Sequence, residues 1–124
     1  MAYGLSYAGA DSDYDSADAV IIGVPYDHTA SFKAGAREAP FAVRRASYNF
    51  EEIHFEHGLD QPRLAVHDYG NCDDFVFPED MIEEVNFAVQ PAIRDGKFTV
   101  AIGGEHSITI PIIRSHERDG IALI

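Results

Sequence analysis

The chain has 124 residues, of which 21 are acidic and nine basic, so its formal net charge is −12 at pH 7. This charge repels phosphate backbones and argues against nucleic acid as a partner. No apolar run approaches the roughly 20 residues of a membrane span, and the amino terminus lacks the features of a secretory signal, so a membrane role is not expected either. The only cysteine, Cys72, cannot form an internal disulfide and is interpreted as a packing residue. We therefore expect a cytoplasmic protein of at most one domain, whose acidity fits a high-salt source or an ordinary cytosolic protein equally well.

The chain divides into a short leader and one predicted domain. Residues 1–17 contain Asp11, Asp13 and Asp15 but lack the glycine and distal glutamate of a calcium loop, so we predict a flexible acidic leader. The domain, residues 18–124, begins with a buried strand over residues 18–25 and continues into a long polar loop. A helix over about residues 41–48 follows Pro40, and a second strand covers residues 63–70.

The second half continues the alternation of helices and strands. From residue 78 the apolar positions recur at helical spacing, with Gly96 as the stop and with Pro91 expected to kink or divide the helix. A strand over residues 97–104 precedes a helix over about residues 109–118, which Ser107 or Thr109 is expected to cap. Residues 121–124, IALI, have the composition of another buried strand, after which the chain is expected to stop in mid-fold. This order predicts a right-handed, mostly parallel α/β sheet.

Polar side chains follow three of the predicted strands. The loops carry Asp27 and His28, then His67, Asp68, Asp73 and Asp74, and last the segment GGEHS at residues 103–107. Because the carboxyl ends of parallel strands share one edge of a sheet, these loops are expected to open there together. Imidazole and carboxylate groups together suit Mn or Zn, although each residue taken singly is also typical of a solvated loop or a turn cap.

Two further patterns at first suggest ligand sites. Gly103 and Gly104 could cradle a phosphate at a helix start, but the P-loop lysine is missing and Glu105 would repel the anion. His54 and His57, in HFEH, have neither cysteines nor a protease glutamate beside them, so we interpret them as a surface feature.

Three segments together resemble the ureohydrolases, the arginase and agmatinase family, and among them the archaeal-type agmatinases. They are GVPYDHTASFKAGAREAPFAVRRAS, AVHDYGN and GGEHSIT, which occur in the family's order and with its spacing. The resemblance covers roughly residues 17–124 and implies the amino-terminal part of a three-layer, mostly parallel sheet of the arginase type. It also implies a pair of manganese ions, a small cationic guanidino substrate and a homo-oligomer, a trimer or hexamer.

The same resemblance assigns roles to single residues. His106, in GGEHS, is implied as a metal ligand, and Glu105 and Ser107 as residues that hold groups around the metal in place. Asp27, His28 and Asp68 are placed on loops that border the pocket. A histidine binds a metal through its neutral imidazole form. Metal binding at His106 should therefore weaken as the pH falls through the titration range of histidine.

The implied reaction is hydrolysis of a guanidinium group to urea and an amine, as in the conversion of agmatine to putrescine for polyamine biosynthesis. A guanidinium is delocalised and cationic, and two adjacent metals overcome its poor reactivity by lowering the pKa of a bridging water. Most of the family's metal ligands follow a strand in the position of IALI and are not expected within residues 1–124, where no catalytic group is assigned. Two classes stay open: part of a hydrolase, inactive by itself, or a non-catalytic remnant or interaction module. Arginine and guanidino acids are alternative substrates.

Overall fold

The computed structural model describes residues 6–49 and 64–116, and the backbone of residues 53–54 and 59–60. Its strands and helices are, in chain order, β1 (Ala19–Val24), α1 (Ala39–Ser47), β2 (Ile53–His54), β3 (Leu59–Asp60), β4 (Val66–Asn71), α2 (Pro78–Arg94), β5 (Phe98–Gly103) and α3 (Thr109–Ser115). Single 3-10 turns at Tyr14–Ser16, Ala36–Glu38 and His106–Ile108 complete the described elements.

The main sheet has the strand order β4-β1-β5, and both pairings are parallel. β1 is the central strand and is almost entirely buried, as its unbroken apolar sequence predicts. Its register with β4 shifts between Ile21 and Ile22, where β4 carries one extra residue. The parallel α/β sheet predicted from the alternating pattern is confirmed.

Helices cover both faces of this sheet. One face of β1 packs against α2 in a core cluster that includes Val20, Ile22, Val24, Met81, Val85 and Val89. On the other face, a Cβ added at Gly23 would lie 2.8 Å from the guanidinium of Arg44, which belongs to α1. The described residues therefore form the three layers expected of the fold.

The helix α2 is continuous through Pro91, so of the two expected effects of this proline the division is wrong, and the kink stays a prediction. Proline removes one backbone hydrogen bond, and here that bond belongs to the last turn. Buried Val85 and Val89 precede that turn and buried Ala92 lies within it, so the end of the helix is packed into the core. Gly96, just past the helix, has φ of +70°, which confirms it as the stop.

Several predicted boundaries differ from the structure. No side chain caps α3, because a 3-10 turn runs directly into it and the hydroxyls of Ser107 and Thr109 bond elsewhere. The helix ends at Ser115, and the IALI strand lies outside the described residues. The two-residue strands β2 and β3 pair antiparallel and were not predicted, because two residues carry no periodicity. The side chains of His54 and His57 also lie outside the described part.

The described part of the acidic leader is packed against the domain. The amide of Ser12 donates to the carbonyl of Val66 at 3.0 Å, and Asp11 forms an isolated bridge with His67. Ala10 and Ala17 are buried. The expectation of a flexible leader is therefore wrong for residues 7–17, since a short antiparallel contact with β4 holds them; the domain boundary at residues 17 and 18 stays a prediction.

Across residues 6–49 and 64–116, no helix combines the length and the apolar character that a membrane span requires.

Candidate functional site

The carboxyl ends of β1 and β5 are joined by backbone hydrogen bonds. The amide of Gly104 donates to the carbonyl of Val24 at 3.0 Å, and the amide of Glu105 donates to that of Tyr26 at 2.9 Å. A Cβ at Gly104 would lie 2.0 Å from the Tyr26 carbonyl oxygen, so only glycine allows this approach. The GGEHS segment is thus fixed to the loop that follows the central strand.

His106 lies in the 3-10 turn directly after this junction, and its side chain is exposed. Its ring nitrogen Nδ1 lies 3.1 Å from Oγ1 of Thr109, one turn further along. This contact restricts the orientation of the imidazole. The structure therefore presents His106 at the carboxyl edge of the sheet, where the sequence placed it.

The two carboxylate oxygens of Glu105 differ in their hydrogen bonding. Its Oε1 accepts hydrogen bonds from the hydroxyls of Thr29 and Ser107. Its Oε2 is buried and has no hydrogen-bond partner within the described part of the chain. A cavity of about 550 Å³ adjoins these residues and is also lined by Phe32 and Lys33. An unpartnered buried carboxylate oxygen beside an imidazole is a place where a cation would be stabilised.

Asp27 clamps the base of the loop that borders this cavity. Its buried carboxylate accepts the amide of Gly35 at 2.6 Å and Nε of Arg37 at 2.8 Å. The Gly35 amide first, and then the Arg37 side chain, lower the pKa of Asp27 to about 2. The same guanidinium donates to Nε2 of His28 at 2.6 Å. Asp27 and His28 are therefore brought together through Arg37, and Asp27 faces the loop backbone.

Asp68 lies within β4, on the face of the sheet that α1 covers. Its side chain is 1% exposed and forms a two-point ion pair with Arg44, at 2.7 and 2.8 Å. Burial raises the pKa of this carboxyl, but the bonds from Arg44 and the amides of Tyr7 and Gly70 outweigh that effect, so its pKa lies below the usual value. The structure thus places Asp68 in a buried ion pair that is not part of the lining of the cavity beside His106.

The remaining predicted residues of this edge are separated. His67 pairs with Val20 on the α2 face, and its Nδ1 contacts the carbonyl of Ser12 at 2.8 Å. Asp74 lies 3.7 Å from Arg37. In the described residues, no group of three His, Cys, Asp or Glu side chains is arranged to hold a metal ion. Asp68 does not converge on GGEHS, because its side chain points to the α1 face and pairs with Arg44, whereas Asp74, after the strand, reaches Arg37 in the loop after β1.

The sequence of the chain matches one known family. The family profile of the arginases covers residues 17–124. The chain belongs to the arginase family. The agmatinase of Neisseria meningitidis is 40% identical over 113 residues, which are 85% of this chain and 36% of that relative. The chain therefore spans little more than a third of the length of the curated relatives it matches.

Solved structures of arginase-family proteins agree with this fold. The agmatine ureohydrolase of Thermoplasma volcanium superposes with a TM-score of 0.86 at 32% identity, covering 90% of this chain and 38% of that one. Formiminoglutamase of Trypanosoma cruzi, crystallised with Mn²⁺, gives a TM-score of 0.78 at 27% identity and covers 89% of this chain and 40% of that one. The predicted ureohydrolase resemblance is confirmed.

Sequence reasoning missed the contacts of three residues at this candidate site. Thr29 and Thr109 contact Glu105 and His106, and Arg37 links Asp27 to His28. Arg37 stands inside one of the motifs that carry the family resemblance, so its position was a usable signal. Thr29 and Thr109 also stand inside quoted motifs, and Thr109 was considered only as a helix cap, because a hydroxyl has no pattern that indicates which side chain it contacts.

Proposed function

We propose that this chain is part of an agmatinase-like ureohydrolase that hydrolyses a guanidinium group to urea and an amine, with agmatine as the substrate. The observation that carries the proposal is His106, exposed beside the unpartnered oxygen of Glu105 at the joined ends of β1 and β5 in an arginase fold. The names of the Neisseria and Thermoplasma relatives support agmatine. We further propose a cytoplasmic homo-oligomer, a trimer or hexamer.

The donor set fits manganese as one part of a larger site. An imidazole nitrogen and carboxylate oxygens suit Mn²⁺, which the related formiminoglutamase contains. His106 would be a ligand, while the described residues hold no complete ligand group, so the other ligands of a metal pair must come from elsewhere in the protein. When bound, manganese would supply the Lewis-acid chemistry that activates water towards the guanidinium carbon.

The chain's own residues would then position this chemistry. Thr109 orients the His106 ring, and the hydroxyls of Thr29 and Ser107 hold the Glu105 carboxylate. The hydrogen bonds that Asp27 accepts from the Gly35 amide and from Arg37 fix the loop whose residues 29–33 line the cavity. The net charge of −12 raises the local concentration of a cationic substrate around the protein.

His106→Ala in the full-length protein tests the proposal. Losing one ligand should lower the bound manganese and reduce urea release from agmatine by about 100-fold or more. His116→Ala, the same substitution at the end of α3, is the matched control and should retain both properties. Urea release would be compared with agmatine, arginine and guanidinobutyrate. Wild-type activity and metal content in His106→Ala would remove His106 from the site.

The bordering loop calls for a separate experiment. Replacing Asp27 and His28 by Asn changes two of the partners of Arg37, which also lies near Asp74, but no proposed metal ligand. The double variant should raise KM for agmatine and leave the manganese content unchanged. A loss of manganese equal to that of His106→Ala would place these residues on the metal instead.

Assays of the isolated chain of 124 residues test whether it is only a portion of an enzyme or a domain that is active by itself. Because the described residues provide no three-ligand group, it should be inactive towards agmatine and bind manganese weakly. Metal analysis and a urea assay beside the full-length protein measure this. Two tightly bound manganese ions and turnover by the isolated chain would contradict the proposed division of the site.

A further inference from the structure

A second cavity, of about 500 Å³, lies between β4 and α2 and shares no lining residue with the cavity beside His106. Three aromatic rings, one imidazole and two carboxylates line it: Tyr14, His67, Tyr69, Phe87, Asp73 and Glu84. We call it the aromatic-acidic groove. Its volume falls within the range of small-molecule sites.

The aromatic side chains of the groove remain partly open to solvent. Phe87 is 71% exposed and Tyr69 39% exposed, although both are large apolar groups. The ring of Tyr14 already carries a cation, since Nζ of Lys97 lies 4.8 Å from its centroid. Aromatic faces of this kind bind the methylene groups and the positive end of an organic cation.

Asp73 and Glu84 form the charged part of the groove. Among the ion pairs of the described residues, none includes Asp73 or Glu84. Burial raises the pKa of the Cys72 thiol to about 12, and the charges of Glu84 and Asp73 add to that rise. Their negative potential therefore reaches Cys72, the residue after β4.

The groove is open to solvent at its rim, where Asp73 and Phe87 are exposed and Glu84 is half-buried. An organic cation can therefore reach the two carboxylates from solvent.

We propose that the aromatic-acidic groove binds an alkylammonium cation, with its ammonium group near Asp73 and Glu84 and its chain against the rings of Tyr69 and Phe87. A neutral ligand of the same shape would leave both carboxylates without compensation, and an anion would be repelled. This site goes beyond the proposed function because it lies on the α2 face of the sheet and needs neither His106 nor a metal.

Titration calorimetry of the full-length protein with n-butylammonium chloride tests the proposal. The His106→Ala variant is used as the host, so that binding at an intact reaction site does not contribute to the signal. We expect saturable binding of n-butylammonium and none of 1-butanol at the same concentration and ionic strength. Absence of saturable binding, or equal binding of the alcohol, overturns the proposal.

Two variants within the groove and one matched control outside it then locate the binding site. Glu84→Gln removes the charge while keeping the shape and should weaken binding about threefold to fivefold. Glu83→Gln makes the same change at the adjacent, exposed residue of α2, outside the groove, and should leave affinity nearly unchanged. Phe87→Leu, at an exposed position that does not threaten folding, should weaken binding about threefold through loss of the ring face. Equal losses in the two glutamate variants would show attraction to net charge alone and overturn the assigned site.

Discussion

Gly104→Ala tests the junction that presents the candidate site. The added methyl group would lie 2.0 Å from the carbonyl oxygen of Tyr26 and 2.8 Å from its carbonyl carbon. Both are backbone atoms, so no side-chain rotation relieves the contact, and the segments after β1 and β5 must move apart.

The expected destabilisation follows from two contributions. Overpacking costs about 1–3 kcal/mol, and the amides of Gly104 and Glu105 lose hydrogen bonds worth about 0.5–1.5 kcal/mol each. We therefore expect the free energy of unfolding to fall by about 3 kcal/mol or more. For a domain of this size, that corresponds to about 10 °C in Tm. Because His106 is two residues away, the manganese content should fall as well.

Urea unfolding and metal analysis of the full-length protein measure both effects. Gly96→Ala is the matched control: its Cβ would meet open space, but its φ is +70°, so only a backbone cost of about 1–2 kcal/mol is expected, without metal loss. If Gly104→Ala is as stable as Gly96→Ala and keeps its metal, the steric argument for this junction is wrong.

Three other side chains give independent predictions. Arg44→Met leaves the buried Asp68 carboxylate without its cation and should cost about 3–5 kcal/mol in urea unfolding; a loss below about 1 kcal/mol would contradict the importance of this ion pair. The stability advantage of the wild type over Asp27→Asn should be complete above about pH 4 and disappear as the pH falls to about 2, because the folded pKa is lowered from 3.8 to about 2. A difference independent of pH would exclude the charge as its source. The buried thiol of Cys72, with its pKa raised to about 12, should resist alkylation at pH 8 until urea unfolds the protein, and rapid labelling of the native protein would contradict this.

The sequence by itself determined the architecture and the place of His106 at the end of a strand. The apolar run at residues 19–24 and the helical stripe from residue 78 reflect local periodicity, which burial on one or two faces imposes on any sequence. The GGEHS motif stands at the end of the predicted strand that forms β5, and strand ends are where an open parallel sheet places its loops. These features need no knowledge of distant contacts, so they could be predicted.

Tertiary structure decided what each polar group contacts. Asp68 and His67 are neighbours in sequence, yet one forms an ion pair with Arg44 under α1 and the other contacts Ser12 on the α2 face. Thr29 bonds to Glu105 across 76 positions of sequence. Such partners depend on how the layers pack, since a hydrogen bond forms between atoms about 3 Å apart whatever their separation along the chain. Local sequence therefore predicted the secondary structure and the position of His106, while only the packed fold determined which side chains support it.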